Sequence, residues 1–429
     1  MRKRKLLFAG SLVLASAGFI VLSLVYGQEQ FPAAQPSGPG SQGPAAAPPN
    51  AGRPARDFRN LPSLQKQMFL SLEQGSDWLR RANRADGRFV YGLLPDLKSA
   101  LEGDHYLRQV GAAYALARAA SLLGEERYAA VARQAILTFL LDTTIDPKDP
   151  QARYTTLPLM AVNRLGAAAL LVLAINELPS PGDDLLEQSE QLCRYIRKQQ
   201  GADGSLDYAE GEAKTDLDPD AINYYPGQAL LAVICSQRHR PAAWKIDLVR
   251  KALPYYQAWW RAHQNMASVP CQSGAYAEAF LLTKERPFAD FVFEMNDWIC
   301  ALQYTQLDPR HPMWSGGFME WTDGRAVSAV AQVGSAVYAE GLANACRLAF
   351  ETADKARCER YRSAVERCLQ FVSTLQYTDA NTQHFADWYR PLLIGGFHAS
   401  HQDGTLRIDY TEHAVCALVQ YLTLPEQAH

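Results

Sequence analysis

The sequence predicts an all-α fold, a closed (α/α)6 toroid of six helical hairpins. Three observations carry this expectation. Helical periodicity dominates residues 57–429, and strand-type alternation never persists beyond a few residues. Two kinds of helix alternate along that stretch, one amphipathic and charged, the other small and apolar on every side. Twelve such helices follow one another strictly as outer type, inner type, six times over.

The chain starts with the basic run Met-Arg-Lys-Arg-Lys, followed from Leu6 to Tyr26 by 21 residues without a charge. As a helix that run is long enough for a bilayer core of about 30 Å. Residues 1–26 therefore read as a signal-anchor, with a signal peptide cut after Gly27 as the alternative. Either way the positive end stays inside and the body is expected outside the cytoplasm, periplasmic or extracellular. Residues 27–56 hold seven prolines, seven alanines and five glycines. Such a segment buries too little surface to offset its ordering entropy and reads as a linker.

Residues 57–429 are the folded domain. "DDLLEQSEQLCRYIRKQQ" (183–200) and "KARCERYRSAVERCLQFVSTLQ" (355–376) are outer in character, and "NRLGAAALLVLAINEL" (163–178) and "PGQALLAVICS" (226–236) are inner. A helix that is apolar all round has to be covered on all sides, and an amphipathic one can cover it. Outer helices are expected near 65–83, 126–141, 185–200, 244–264, 287–304 and 356–376. Inner helices are expected near 108–123, 163–178, 226–236, 273–283, 332–350 and 410–422.

Gly111, Gly166, Gly227, Gly274 and Gly334 stand near the starts of five inner helices, and His413 holds the sixth such place. Glycine costs about 0.8–1.0 kcal/mol in a helix interior, so close approach of neighbouring backbones is expected there. Inner-to-outer connections are short. Most outer-to-inner ones run over 84–107, 142–162, 201–225, 305–331 and 377–409, and long irregular connections usually carry function. They all reach the rim where the inner helices begin, and helix N-termini favour anionic groups there.

"QQGADGSLDY" (199–208) and its weaker copy "NRADGRFVY" (83–91) resemble the QW-type repeats of the terpenoid-cyclase and prenyltransferase toroid superfamily. "SGGFMEWTDG" (315–324) recurs in looser form as "IGGFHASHQDG" (394–404). The architecture is also similar to six-hairpin glycosidases and to related polysaccharide lyases and epimerases. The resemblance spans roughly residues 60–425 and implies the fold more than an activity. Squalene-hopene-type cyclases carry D-x-D-D, whereas in "DLDPDAINYYPG" (216–227) Pro219 stands where the third acid would fall.

Several groups are candidates for chemistry. Glycoside cleavage uses two carboxyl groups flanking a sugar bond. Asp218 or Asp220 is a candidate for one and Glu278, one turn into the fourth inner helix, for the other. The plain alternative is that the aspartates cap a turn and a helix. Asp409 and His413 are i and i+4 on one helix face, the spacing by which a carboxylate fixes an imidazole as general base, with Tyr410 as a second proton donor. Arg407 and Arg108 at the rim are candidates to clamp a uronate or other carboxylate. A buried network closing the last hairpin on the first is the structural alternative. Tyr91, Tyr224, Tyr225, Trp314 and Trp388 sit on the same connections, where aromatic faces suit a sugar, an isoprenoid or simple packing. His398 and His401 are further candidates to bind substrate; together with His384, His413, Asp387 and Asp403 they match no familiar zinc spacing, and no metal or other cofactor is expected.

A net charge of −3 provides no global basic field, so nucleic acid is not expected as a partner. The eight cysteines show no C-x-x-C, and export permits disulfides without saying which. The favoured reading is an exported, tethered protein acting on a saccharide or cell-envelope polysaccharide by hydrolysis, elimination or epimerisation. A saccharide or small molecule in the cavity, and the membrane at the N-terminus, are then the partners. One alternative is a cyclase-like toroid holding an isoprenoid in a carbon-lined cavity, and another is a non-catalytic binding or scaffold module.

Overall fold

The structure is a computed structural model that describes residues 61–159, 161–209, 221–306 and 309–425. The expected anchor and linker, as well as Asp218 and Asp220, lie outside the described residues. Among the described residues no helix is long and apolar enough to cross a membrane.

Six outer helices, α1 (Ser63–Ala82), α3 (Glu126–Leu140), α5 (Asp183–Lys198), α7 (Ala243–Ala262), α9 (Arg286–Ala301) and α11 (Lys355–Thr374), alternate with six inner ones. The inner set is α2 (Tyr106–Leu123), α4 (Arg164–Glu177), α6 (Ala221–Cys235), α8 (Val269–Thr283), α10 (Ser335–Glu351) and α13 (Ile408–Leu422). Each inner helix packs on the inner helices before and after it, and α13 packs on α2, which closes the ring.

The two helix types behave as their sequences require. Inner α4 is buried at every position from Leu165 to Asn176. Outer α5 buries a stripe that includes Leu185, Ser189, Leu192 and Ile196, and the charges flank it. Burying one leucine side chain contributes about 1.5–3 kcal/mol, so a stripe of this kind fixes the outer helix against the inner. Asn163 caps α4 by accepting the Gly166 N–H at 2.9 Å, and Asp354 caps α11 through the Arg357 N–H at 3.0 Å.

Three details differ from the expectation. Helix α6 begins one turn earlier, at Ala221, so Tyr224 and Tyr225 are helical and Pro226 lies inside the helix. Gly334 caps α10 with open space around it, and the close approach belongs to Gly341, whose added Cβ would stand 3.2 Å from Cα of Pro270 on α8. The long connections also contain short strands. Strands β1 (Gly92–Leu94), β2 (Ser99–Ala100), β7 (His398–Ser400) and β8 (Asp403–Arg407) form one sheet in the order β2-β1-β8-β7. Hairpins β3 (Thr143–Asp146) with β4 (Asp149–Thr155), and β5 (Glu320–Thr322) with β6 (Arg325–Val327), stand separately. A two- or three-residue strand is too short for alternation to register as a pattern, so sequence periodicity passes over it.

The Q-x-x-D-G-like repeats have a mechanical role. Gln200, Gln303 and Gln376 each follow the end of an outer helix. Each donates from Nε2 to a backbone carbonyl of the next outer helix: Leu248 O at 2.9 Å, Ala364 O at 2.9 Å and Ser71 O at 3.0 Å respectively. Gly204, Gly316 and Gly395 follow at φ +92°, +93° and +97°, each pressed so closely on a carbonyl of that same helix that no Cβ fits. Only glycine meets both demands at once.

Candidate functional site

The mouth of the ring is built where the last inner helix meets the first. Gly92 pairs with Arg407 and Leu93 with Leu406 across β1 and β8. This pairing brings Tyr91 beside the start of α13, where the Ile408 N–H donates to Tyr91 O at 3.1 Å. Arg407 donates to both oxygens of Asp409, from Nε at 2.5 Å and from Nη2 at 2.8 Å, and its guanidinium lies 4.2 Å from the centre of the Tyr410 ring. Arg108, on the first turn of α2, reaches the same carboxylate at 3.2 Å through Nε and donates to the Tyr91 hydroxyl through Nη1. Asp409 also sits in the first turn of α13, where the helix dipole favours negative charge.

One turn deeper is a second charged group. His413 Nδ1 lies 3.1 Å from Oε1 of Glu340 on α10 and 3.8 Å from Oε1 of its neighbour Glu412. The two carboxyl groups therefore lie no more than about 7 Å apart, with the one imidazole in contact with both. Arg118 of α2 stands 3.8 Å from the other oxygen of Glu340. The Glu412 carboxylate lies against Gly111, so a Cβ there would meet Oε2 at 2.6 Å. Although it is enclosed by inner helices, His413 keeps 35% of its side chain accessible.

Electrostatics divides this group into roles. Burial pushes the Glu412 carboxyl up to about 7; Glu340 and Asp409 add to the rise, and His413 and Arg108 oppose it. Burial alone would lower the His413 imidazole, but the Glu412 charge and the hydrogen bond to Glu340 outweigh it and raise the group to about 10. At neutral pH His413 is thus an imidazolium, and Glu412 is divided between acid and carboxylate. A carboxyl poised in this way can give a proton to a leaving oxygen or take one from water.

This corrects the expected Asp409–His413 pair. Asp409 is engaged by two guanidinium groups, and the carboxylate hydrogen-bonded to His413 is Glu340, from another helix. A histidine already protonated at neutral pH is not a general base there.

The other expected residues are dispersed. Glu278 pairs with Arg347 at 2.8 Å, near Cys235 at the end of α6, which places it toward the end of the ring opposite the mouth. Tyr225 packs over Gly166, and Tyr224 is largely exposed on the first turn of α6. Trp314 stacks on His311 with ring centres 3.9 Å apart, and Trp388 is 68% exposed. His398 hydrogen-bonds Ser400 O at 2.8 Å, and His401 lies 2.9 Å from the Thr374 hydroxyl on outer α11 and packs on Phe371. His398 thus braces the β7–β8 hairpin internally, and His401 ties it to the outer layer. Among the described residues no group of three or more His, Cys, Asp or Glu side chains is arranged to hold a metal ion.

Sequence reasoning passed over Glu412, Glu340 and Arg118. The available signal was the few charged residues set within otherwise small and apolar inner helices, Arg118 in α2, Glu340 in α10 and Glu412 in α13, where burial demands a partner from a neighbouring helix.

No protein-family model matches the sequence, and no curated protein matches it. Solved structures do share the fold. Cellobiose 2-epimerase from Bacillus thermoamylovorans superposes with a TM-score of 0.61 at 13% identity, covering 84% of this chain and 99% of that one. Unsaturated glucuronyl hydrolase from Bacillus sp. GL1 gives 0.57 at 12% identity, covering 82% and 96%. The GH76A α-1,6-mannanase of Salegentibacter sp. HEL1_6 gives 0.56 at 10% identity, covering 85% and 100%. The chain thus has the six-hairpin toroid fold, which at this identity carries no activity with it.

Proposed function

We propose that this toroid is a carbohydrate-active enzyme that cleaves a saccharide or cell-envelope polysaccharide by hydrolysis within its lumen. Glu412 is the acid–base group, and Glu340, which contacts His413 and Arg118, is the second carboxylate. Arg108, Tyr91, Arg407 and Asp409 position the sugar at the mouth. The carrying observation is the Glu412–His413–Glu340 cluster, which places a carboxyl poised near neutrality within reach of a second one. The named activities of the three structural neighbours, all on sugars, are in keeping with this reading. A charged group below the rim disfavours the alternative of a carbon-lined cavity for an isoprenoid, since each desolvated charge is costly beside an apolar ligand. The reading extends to residues 1–56 as an N-terminal anchor and linker that hold the ring outside the cytoplasm.

The test is to incubate the full-length protein with envelope and uronate-containing polysaccharides. New reducing ends are expected. Unsaturated ends would indicate elimination, and an isomerised sugar without cleavage would indicate epimerisation. Failure to find any product or any binding would leave the scaffold reading in its place.

A further inference from the structure

We propose that Cys346 and Cys358 are a covalent modification site. They are joined as a disulfide when the chain folds in an oxidising compartment, with a small-molecule or protein disulfide as the oxidant.

Cys346 lies on inner α10 and Cys358 on outer α11, on either side of the turn that ends α10 at Glu351 and starts α11 at Lys355. The turn is tight, with Ala353 at φ +57° and Asp354 capping the next helix. The helices run antiparallel and pack along their length, and the two cysteines face each other across that seam. Their sulfurs are 3.9 Å apart, and Cys346 Sγ also points at the Cys358 carbonyl, 3.5 Å away. A disulfide needs the sulfurs at about 2.05 Å, and side-chain rotation within one hairpin covers that difference without separating the helices.

Other uses of these thiols fit poorly. Both residues are buried, Cys346 at 0% and Cys358 at 4% exposure. Burial pushes the Cys346 thiol up to about 12, with Cys358 adding to the rise, so the thiolate needed of a nucleophile or metal ligand is scarce in the folded protein. Other cysteines face different partners: Cys193 meets the Ser236 hydroxyl at 3.5 Å, and Cys368 meets Ser335 O at 3.2 Å.

Oxidation occurs while the hairpin is still open. One thiol loses its proton and attacks the oxidant's S–S bond, which forms a mixed disulfide and expels one thiolate. The second protein thiolate then attacks the mixed disulfide, which closes the Cys346–Cys358 bond and releases the other half of the oxidant. The protein gives up two protons and two electrons, and the oxidant's disulfide becomes two thiols. Completion of the ring then buries the bond away from reductant.

The experiment is to refold the full-length chain in a glutathione redox buffer and, in parallel, under reductant. Remaining thiols are then alkylated in denaturant and the peptides mapped. The expected product is lighter by two hydrogens and carries one linked peptide pair, Cys346 with Cys358. Its Tm is expected to exceed that of the reduced protein by roughly 2–6 °C, and Cys358→Ser abolishes the difference. Alkylation of all eight cysteines after oxidative refolding, or linkage of either residue to a different cysteine, overturns the proposal. The wild-type peptide map decides the matter even if the variant does not fold. The readout is independent of any reaction in the lumen.

Discussion

The seam of the ring and its outer wall both place polar side chains between neighbouring helices, to different effect. On the outer wall, Gln200, Gln303 and Gln376 each donate to a backbone carbonyl of the neighbouring helix. The arrangement recurs because the packing problem recurs, and its glycines hold strained backbone against a carbonyl. At the seam, the Glu412–His413–Glu340 cluster occurs once among the described residues, and His413 keeps 35% of its side chain accessible. Repetition marks what every hairpin needs for assembly, and the unrepeated charge marks what one place in the ring is for.

Substitutions can break this contrast. The largest effect is expected at Glu412→Gln. It removes the acid–base group and lowers kcat by about 10²- to 10⁴-fold. Loss of stability in place of activity would make the seam another brace. Next comes Gly395→Ala on the outer wall, where φ is +97° and no Cβ fits against Gln74 O. Denaturant unfolding is expected to show a loss of about 3 kcal/mol, with the pH profile of any activity unchanged.

A smaller effect is expected at Gly111→Ala. The new methyl group would displace the Glu412 carboxylate, lowering kcat about tenfold, since a modest misplacement of a catalytic group is costly. It would also shift the pH profile, which a purely structural glycine would not do. The pH dependence of stability follows from the raised groups. His413, raised from 6.5 to about 10, favours the folded state fully below pH 6.5, and that contribution is lost as pH rises toward 10. Glu412, raised from 4.5 to about 7, likewise loses its contribution between those values. Tm should therefore fall from pH 6.5 to 10, and His413→Gln should flatten that part of the curve. The least effect is expected at Glu278→Gln, at the far end of the ring, with kcat/KM within about threefold of wild type by the same assay.

The twelve helices were legible because each is long enough for its apolar pattern to repeat. Inner α4 and outer α5 differ so plainly in composition that their layer was readable as well. The rim strands were not: β1 and β2 span three and two residues, and the longer β4 opens on Asp149, Pro150 and Gln151, which read as a turn. The site was half legible. Arg108, Arg407, Asp409 and His413 do converge around the junction of α2 and α13. However, the i,i+4 rule paired Asp409 with His413 within one helix, whereas the imidazole finds Glu340 on a helix 73 residues away in sequence. Pairings across the ring depend on its closure, and no local spacing encodes them.

The ring is fastened by residues from opposite ends of the domain: Ser71 bonds Gln376 across 305 positions, and β1 pairs with β8. Loops of that span form late, after local hairpins are in place. A chain emerging from synthesis can therefore stack hairpin upon hairpin and still have no lumen until its last helix docks beside the second. Any C-terminal truncation that removes α13 takes Glu412 and His413 with it and leaves an open arc of helices, and the time at which function appears during refolding is a clock for that final docking.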